Sequence, residues 1–285
     1  MWLKNREECM KLKKALNSNS LIAADEKGNE YIVLGRGIGF GKKKGDQIDE
    51  GSIERVFASD KNTNAKLLEL IRSIPEEYFI LAGEIIECAE HRLNKKLNDS
   101  IYFTLTDHIC FITKRLEKGI MPSNPLKWEI QRYYSLEYDI ARKAKELLED
   151  EFDYVLNDDE TATLAMHIVN AEEDVDMHQN MESIRLMKEI MKIIKLLAQV
   201  EINEDSLNYQ RLITHLRFFV YRMNAKKQES KNEPLYEIIK TNYAKAFSIT
   251  ERICELLKKK NGYIVTNQEQ TYLTIHIQRV IEREN

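Results

Sequence analysis

Four of the six histidines in this 285-residue chain fall into two matched pairs. His108 in "LTDHICFITKRLEKG" corresponds to His215 in "LITHLRFFVYRMN", and His167 in "NDDETATLAMHIVNAE" corresponds to His276 in "TNQEQTYLTIHIQRVIE". The copies are offset by 107 and 109 residues, and the two histidines within a copy lie 59 and 61 residues apart. His91 and His178 have no counterpart. An imidazole is substantially neutral near pH 7, so a ring nitrogen can attack a phosphoryl group and hold it in a bond of high transfer potential. Arg115 and Arg222 follow the first histidine of each copy by seven residues, two helical turns on and on the same face, where each could steady an anion at the ring. A plainer reading competes with this one. Copies of one fold repeat their core, so the four histidines can be partly buried structural residues and the arginines ordinary solvated charges. Metal ligation fits poorly, with no H-E-x-x-H, no histidine pair at i,i+4 and no C-x-x-C.

A second stretch, "LGRGIGFGKKKGD" at 34–46, packs five glycines and four basic residues into thirteen positions. It is not a P-loop: Gly41-Lys42 is followed by Lys43 instead of Ser or Thr, and the first glycine of that motif is missing. The dinucleotide fingerprint fails in both registers, at Phe40 and at Lys42, and a charged turn follows where a helix should start. Upstream, "MKLKKAL", "SLIAAD" and "EYIVLG" are strand-like runs separated by the turns "NSN" and "EKGN", which predicts antiparallel hairpins. Asn17 and Asn19 in the first turn offer donors and acceptors suited to base edges, and Phe40 between glycines is open to stacking. The same residues suit turn architecture, since an asparagine in a tight turn usually bonds its own backbone.

These groups need a scaffold. Seven of the ten glycines precede residue 52, which predicts a small turn-rich module followed by a helical body, with "ASDKNTNAK" (58–66) as the linker. A module of about 50 residues buries little surface alone, so its four-stranded sheet is expected to pair with a copy of itself. Beyond the linker, "LLELIRSIPEEYFILAGEIIECAEHRL" and "MESIRLMKEIMKIIKLLAQV" carry apolar residues at helical spacing. Leu147-Leu148 matches Leu256-Leu257 and Tyr154 matches Tyr263, so the body reads as two all-helical copies of about 110 residues. Net charge is −4, so any nucleic-acid contact is local. Cys9, Cys88, Cys110 and Cys254 are dispersed, as in a reducing cytoplasm. No signal peptide is evident and no apolar run approaches the roughly 18 residues of a membrane span.

The segment "MKLKKALNSNSLIAADEKGNEYIVLGRGIGFGKKKGDQID" resembles the RNA-binding co-antiterminator module of the Bgl/Sac/Lic-type transcriptional antiterminators. The two helical copies, with "TDHI", "MHIVNAE", "THLRFF" and "TIHIQRV", resemble the paired phosphotransferase-system regulation domains of the same family. The resemblance implies a multidomain α+β protein: an antiparallel, dimeric RNA-binding sheet, then two homologous all-α helical bundles. It implies the boundaries 10–64, 65–172 and 173–285, with 1–9 an extension before a true start at Met10. RNA contacts would be Lys14, Asn17, Asn19, Gly35, Arg36 and Phe40, and phosphorylation sites His108, His167, His215 and His276. The implied partners are an RNA hairpin in a nascent transcript, a second copy, a sugar-specific permease component acting on the first regulation domain and a histidine phosphocarrier acting mainly on the second. The implied protein is cytoplasmic, not inserted in a membrane, catalyses nothing itself and needs no cofactor or metal. Two other classes are weighed beside it: a DNA-binding activator with the same regulation domains, which would need an N-terminal helix-turn-helix in place of the glycine-rich strands, and a phosphohistidine relay or metal hydrolase.

Overall fold

The computed structural model describes residues 10–53, 55–58, 70–71, 73–224 and 235–282. The 1–9 extension and positions 59–66 of the expected linker lie outside the described residues. Contacts gather the chain into two compact units, Met1–Ser123 with Asp139–Asp174, and Asn124–Tyr138 with Val175–Asn285.

The first unit opens with an antiparallel sheet in the order β1 (Lys11–Ala15), β2 (Ser20–Ala24), β3 (Glu30–Leu34) and β4 (Arg55–Ala58). The three apolar runs become β1 to β3, and β4 forms from "RVFA", whose last residue the sequence assigned to the linker. Asp25 closes the second turn: its carboxylate accepts from the backbone N–H groups of Lys27 and Asn29 and from the Asn29 amide at 2.8–2.9 Å. Chiefly the Asn29 side-chain bond holds this carboxyl below its usual range. Leu12, Leu21, Ala23 and Val33 share one face of the sheet with Ile38 and Ile48 from the loop after β3. That loop also lines the free edge of β1, where Leu12 N–H donates to the Asp46 carbonyl, Gly45 N–H to that of Leu12 and Ile48 N–H to that of Met10.

On the other face Phe57 stands opposite Ile32 and meets the rings of Tyr102 and Phe103, centroids 5.9 and 4.8 Å away. Beside it Arg55 pairs with Glu90 at 3.1 Å and Asp99 at 3.7 Å, its guanidinium 5.0 Å from the Tyr102 ring centre. Half-buried arginine with planar and anionic partners is a rigid attachment in a way a surface lysine is not.

The helices of the described residues are α1 (Glu76–Leu93), α2 (Ile101–Leu116), α3 (Lys127–Tyr133), α4 (Ser135–Phe152), α5 (Asp158–Glu173), α6 (Met177–Ala198), α7 (Leu207–Asn224), α8 (Leu235–Asn242), α9 (Ala244–Asn261) and α10 (Asn267–Ile281). The apolar stretch 67–93 is interrupted at Pro75, which lacks an N–H and starts α1 afresh. Helix α2 packs on α5 and α7 on α10, so each copy brings the same two elements together. Asn157 caps α5 by accepting from Glu160 N–H, and α10 starts with a capping box between Thr266 and Glu269. Within the second unit, Arg217 donates to Glu137 at 2.9 Å and lies 4.0 Å over the Tyr134 ring, while Lys188 pairs with Glu129 at 2.8 Å. Those bonds join 124–138 to the second copy's helices, although the repeat in the sequence carries the first copy on to about residue 172.

A Cβ at Gly39 would collide with the Asn17 carbonyl oxygen and one at Gly35 with that of Ser52. Gly39→Ala is therefore expected to cost about 1–3 kcal/mol by overpacking. Hydrogen exchange on the full-length variant should show faster exchange at Gly35 and at position 39, whose N–H groups bond Asn19 and Ser18 in the unaltered chain, with the helices unchanged.

Candidate functional site

In the first copy the His108 and His167 rings stand 4.7 Å apart, one from α2 and one from α5. Nε2 of His108 lies 2.5 Å from the Glu160 carboxylate, whose other oxygen accepts from Arg115 at 2.6 Å. Glu160 is 1% exposed. Opposite an ionised carboxylate, which only accepts, Nε2 would be the donor of this pair. Nε of Arg115 is buried without a partner among the described residues. Desolvation first, then the nearby His108, push His167 down to about 3, so its ring is neutral at physiological pH.

The second copy keeps the histidine pair and changes its surroundings. His215 and His276 are 3.9 Å apart, and the Tyr272 ring stands edge-on to both, at 4.8 and 4.7 Å. The Tyr272 hydroxyl lies 2.9 Å from Nδ1 and 3.4 Å from Nε2 of His215, across the ring edge between them. Glu269, the counterpart of Glu160, is engaged elsewhere: it accepts from Thr266 N–H at 2.9 Å and from the Tyr263 hydroxyl at 2.8 Å. Arg222 lines one recess with His215, Phe219, Glu269, Tyr272 and His276. Burial, then His215 and Arg279, push His276 down to about 4, and burial, then Arg222 and Arg279, lower His215. One copy thus sets a carboxylate on its first histidine, the other a phenol amid arginines.

The sheet carries a separate cluster. Gly39 N–H donates to the Ser18 carbonyl at 2.8 Å, Gly35 N–H to that of Asn19 at 3.0 Å, and Gly37 N–H to the Asn19 Oδ1. These bonds seat Gly35, Arg36 and Phe40 beside Asn17 and Asn19; Lys14, exposed on β1, makes none of them. Asn17 serves its own turn, its Oδ1 accepting from Asn19 N–H at 2.9 Å and the Ser20 hydroxyl at 2.6 Å. With both carboxamide oxygens engaged, each asparagine has its amide N–H groups left to offer a base. Phe40 is 80% exposed.

Glu160 and Tyr272 escaped the sequence reading, although their signal was there. Glu160 and Glu269 precede the second histidine of their copies by seven residues, the interval that singled out the arginines, and Tyr272 precedes His276 by four. Among the described residues no three His, Cys, Asp or Glu side chains gather as a metal site, and no helix is long and apolar enough to cross a membrane.

Comparison with known proteins gives the site a setting. Residues 10–66 match the CAT RNA binding domain, and residues 83–171 and 188–280 each match the PRD domain. The chain is 40% identical over 276 residues to the transcription antiterminator LicT of Bacillus subtilis (strain 168), covering 96% of this chain and 100% of that protein. It is 35% identical to a beta-glucoside operon antiterminator of Dickeya chrysanthemi, covering 95% and 96%. The crystal structure of GlcT CAT-PRDI aligns with a TM-score of 0.54 at 33% identity, covering 57% of this chain and 98% of that one.

Because the folded His276 and His167 protonate well below the value of about 6.5 of an unfolded histidine, acid favours unfolding. Their contribution to stability is complete above about pH 6.5 and is lost as pH falls towards 4. Thermal midpoints should fall between pH 7.5 and 5, and His276→Gln should flatten that fall.

Proposed function

The chain belongs to the antiterminator family built from one CAT RNA binding domain and two PRD domains, and from that premise we propose its working cycle. A dimer of the sheet domain grips an RNA hairpin in a nascent leader transcript, keeps the overlapping terminator from forming and lets polymerase read into a sugar-utilisation operon. Asn17, Asn19, Gly35, Arg36 and Phe40, with Lys14, make the RNA contact. His108, His167, His215 and His276 accept phosphoryl groups from the sugar phosphotransferase system. A sugar-specific permease component acts on the first PRD domain and inhibits; the histidine phosphocarrier acts mainly on the second and activates. Each phosphate adds about −1.5 to −2 charges, enough to shift an equilibrium between two arrangements. The protein works in the cytoplasm and is a regulator, its histidines being substrates of other proteins.

One observation carries this reading: the Gly35–Phe40 loop is bonded onto the Asn17–Asn19 turn with an aromatic ring left in solvent beside it. That is the mixture of amide donors, close-approach backbone and stacking surface that single-stranded or bulged RNA needs. The test is binding of the unphosphorylated chain to the hairpin in its own operon leader, against the DNA version and a base-scrambled hairpin, at two salt concentrations. Selective binding to the RNA hairpin is expected, with Phe40→Ala weakening it by about 1–3 kcal/mol, the worth of one base–aromatic stack. Equal affinity for all three nucleic acids would end the proposal.

A further inference from the structure

The two histidine sites differ in what an equivalent glutamate bonds, which could let two phosphoryl donors tell them apart. We propose that Glu160 guards His108, so that phosphoryl transfer onto its Nε2 requires this carboxylate to leave, whereas His215 has no such guard. The inference rests on the reading of these histidines as phosphoacceptors.

The acceptor in this proposal is Nε2, the ring nitrogen farther from the backbone. In the first copy that nitrogen faces Glu160; as donor to an ionised carboxylate it bears the proton and has no lone pair to attack with. Transfer there needs the proton to move to Nδ1 and Glu160 to swing away. The Nε2 lone pair then forms the new N–P bond as the donor's bond to phosphorus breaks and its electron pair returns to the donor. The ring ends as Nδ1–H and Nε2–P, with no net gain or loss of protons. A dianionic phosphoryl group also meets the negative charge of Glu160 on approach, where it would otherwise meet Arg115. Displacing Glu160 releases that guanidinium, which exchanges a carboxylate for the phosphoryl oxygens, two anions of similar bidentate geometry.

The second copy has lost the guard through its helix start. Asn157 caps α5 with its own side chain and leaves the Glu160 carboxylate for the site. Thr266 draws the Glu269 carboxylate into a capping box, and Tyr263 takes its other oxygen. His215 then meets the Tyr272 hydroxyl instead of a carboxylate, and the recess holds Arg222 together with Glu269, whose oxygens are turned to Thr266 and Tyr263. A soluble donor with few contacts finds His215 open. A donor that phosphorylates His108 must bring enough binding energy to open the Glu160 pair.

The full chain, Glu160→Gln and Arg115→Gln would each be incubated with phosphorylated histidine phosphocarrier, and phosphate on His108 and His215 followed in time by mass spectrometry under conditions that preserve phosphohistidine. His215 should react at the same rate in all three, an internal control for folding. Glu160→Gln, which keeps the shape and removes the charge, should speed His108 at least about tenfold. Arg115→Gln should slow it, because the charge of Glu160 stays and the phosphoryl group loses its guanidinium. A purely structural network would lose rate in both variants. Slower or unchanged transfer to His108 in Glu160→Gln, or phosphate on its Nδ1, overturns the inference. If neither histidine reacts in the unaltered chain, the phosphoacceptor reading fails instead. Nitrogen-15 shifts of the unphosphorylated chain still decide the present point: the Nε2–H form of His108 is expected, and the Nδ1–H form would overturn it.

Discussion

Two imidazole rings within 5 Å of each other and partly screened from water resist both becoming cations, and that constraint bears on both helical copies of this protein. The pairs His108–His167 and His215–His276 come from helices that pack directly, α2 on α5 and α7 on α10. Burial and like charge push His167 to about 3 and His276 to about 4. His167 and His276 are therefore uncharged near neutrality, which a phosphoryl acceptor needs. Adding a dianion to one of them replaces a neutral contact with a charged one at the place where two helices meet. The chemistry and the packing are read by the same atoms.

The sheet domain obeys a steric constraint instead. Gly35 and Gly39 are backbone-only positions because the loop lies against the Asn17–Asn19 turn and the Glu50–Ser52 turn too closely for any side chain. The glycines thus serve first the protein's own packing, and through it the exposure of Arg36 and Phe40. Arg55 and Phe57 fasten the far side of this sheet to α1 and α2, the latter being the helix that carries His108. Ser18, in the turn between β1 and β2, also donates to Glu76 at the start of α1 at 2.8 Å.

Much of this was legible in the sequence because it is local or repeated. Alternation and turn residues located β1 to β3, and the 107- and 109-residue offsets located the duplicated bundles with all four histidines. What was not legible depends on which partner a side chain chooses. β4 is four residues long and owes its place to Phe57 meeting Tyr102 and Phe103, contacts some 45 residues away in sequence. Glu160 and Glu269 are identical in type and position, yet one bonds a histidine and the other a helix start, a difference set by Asn157 against Thr266 and by where Tyr263 points. The segment 124–138 bonds to Arg217 and Lys188, which no periodicity in the first copy could reveal. Arg115, picked out as a phosphate contact, faces a carboxylate in this arrangement.

The strip 45–48 laid along β1 bears on how this sheet behaves in a crowded solution. The outward backbone groups of Met10 and Leu12 are already bonded to Ile48, Gly45 and Asp46. An approaching strand finds the first half of that edge already taken, and the short, lysine-bearing β1 is a poor seed for the strand-by-strand growth that leads to fibres. Two copies of the domain that associate must do so through side chains rather than by extending the sheet across β1. Such an association can be reversible and finite, as a switch has to be.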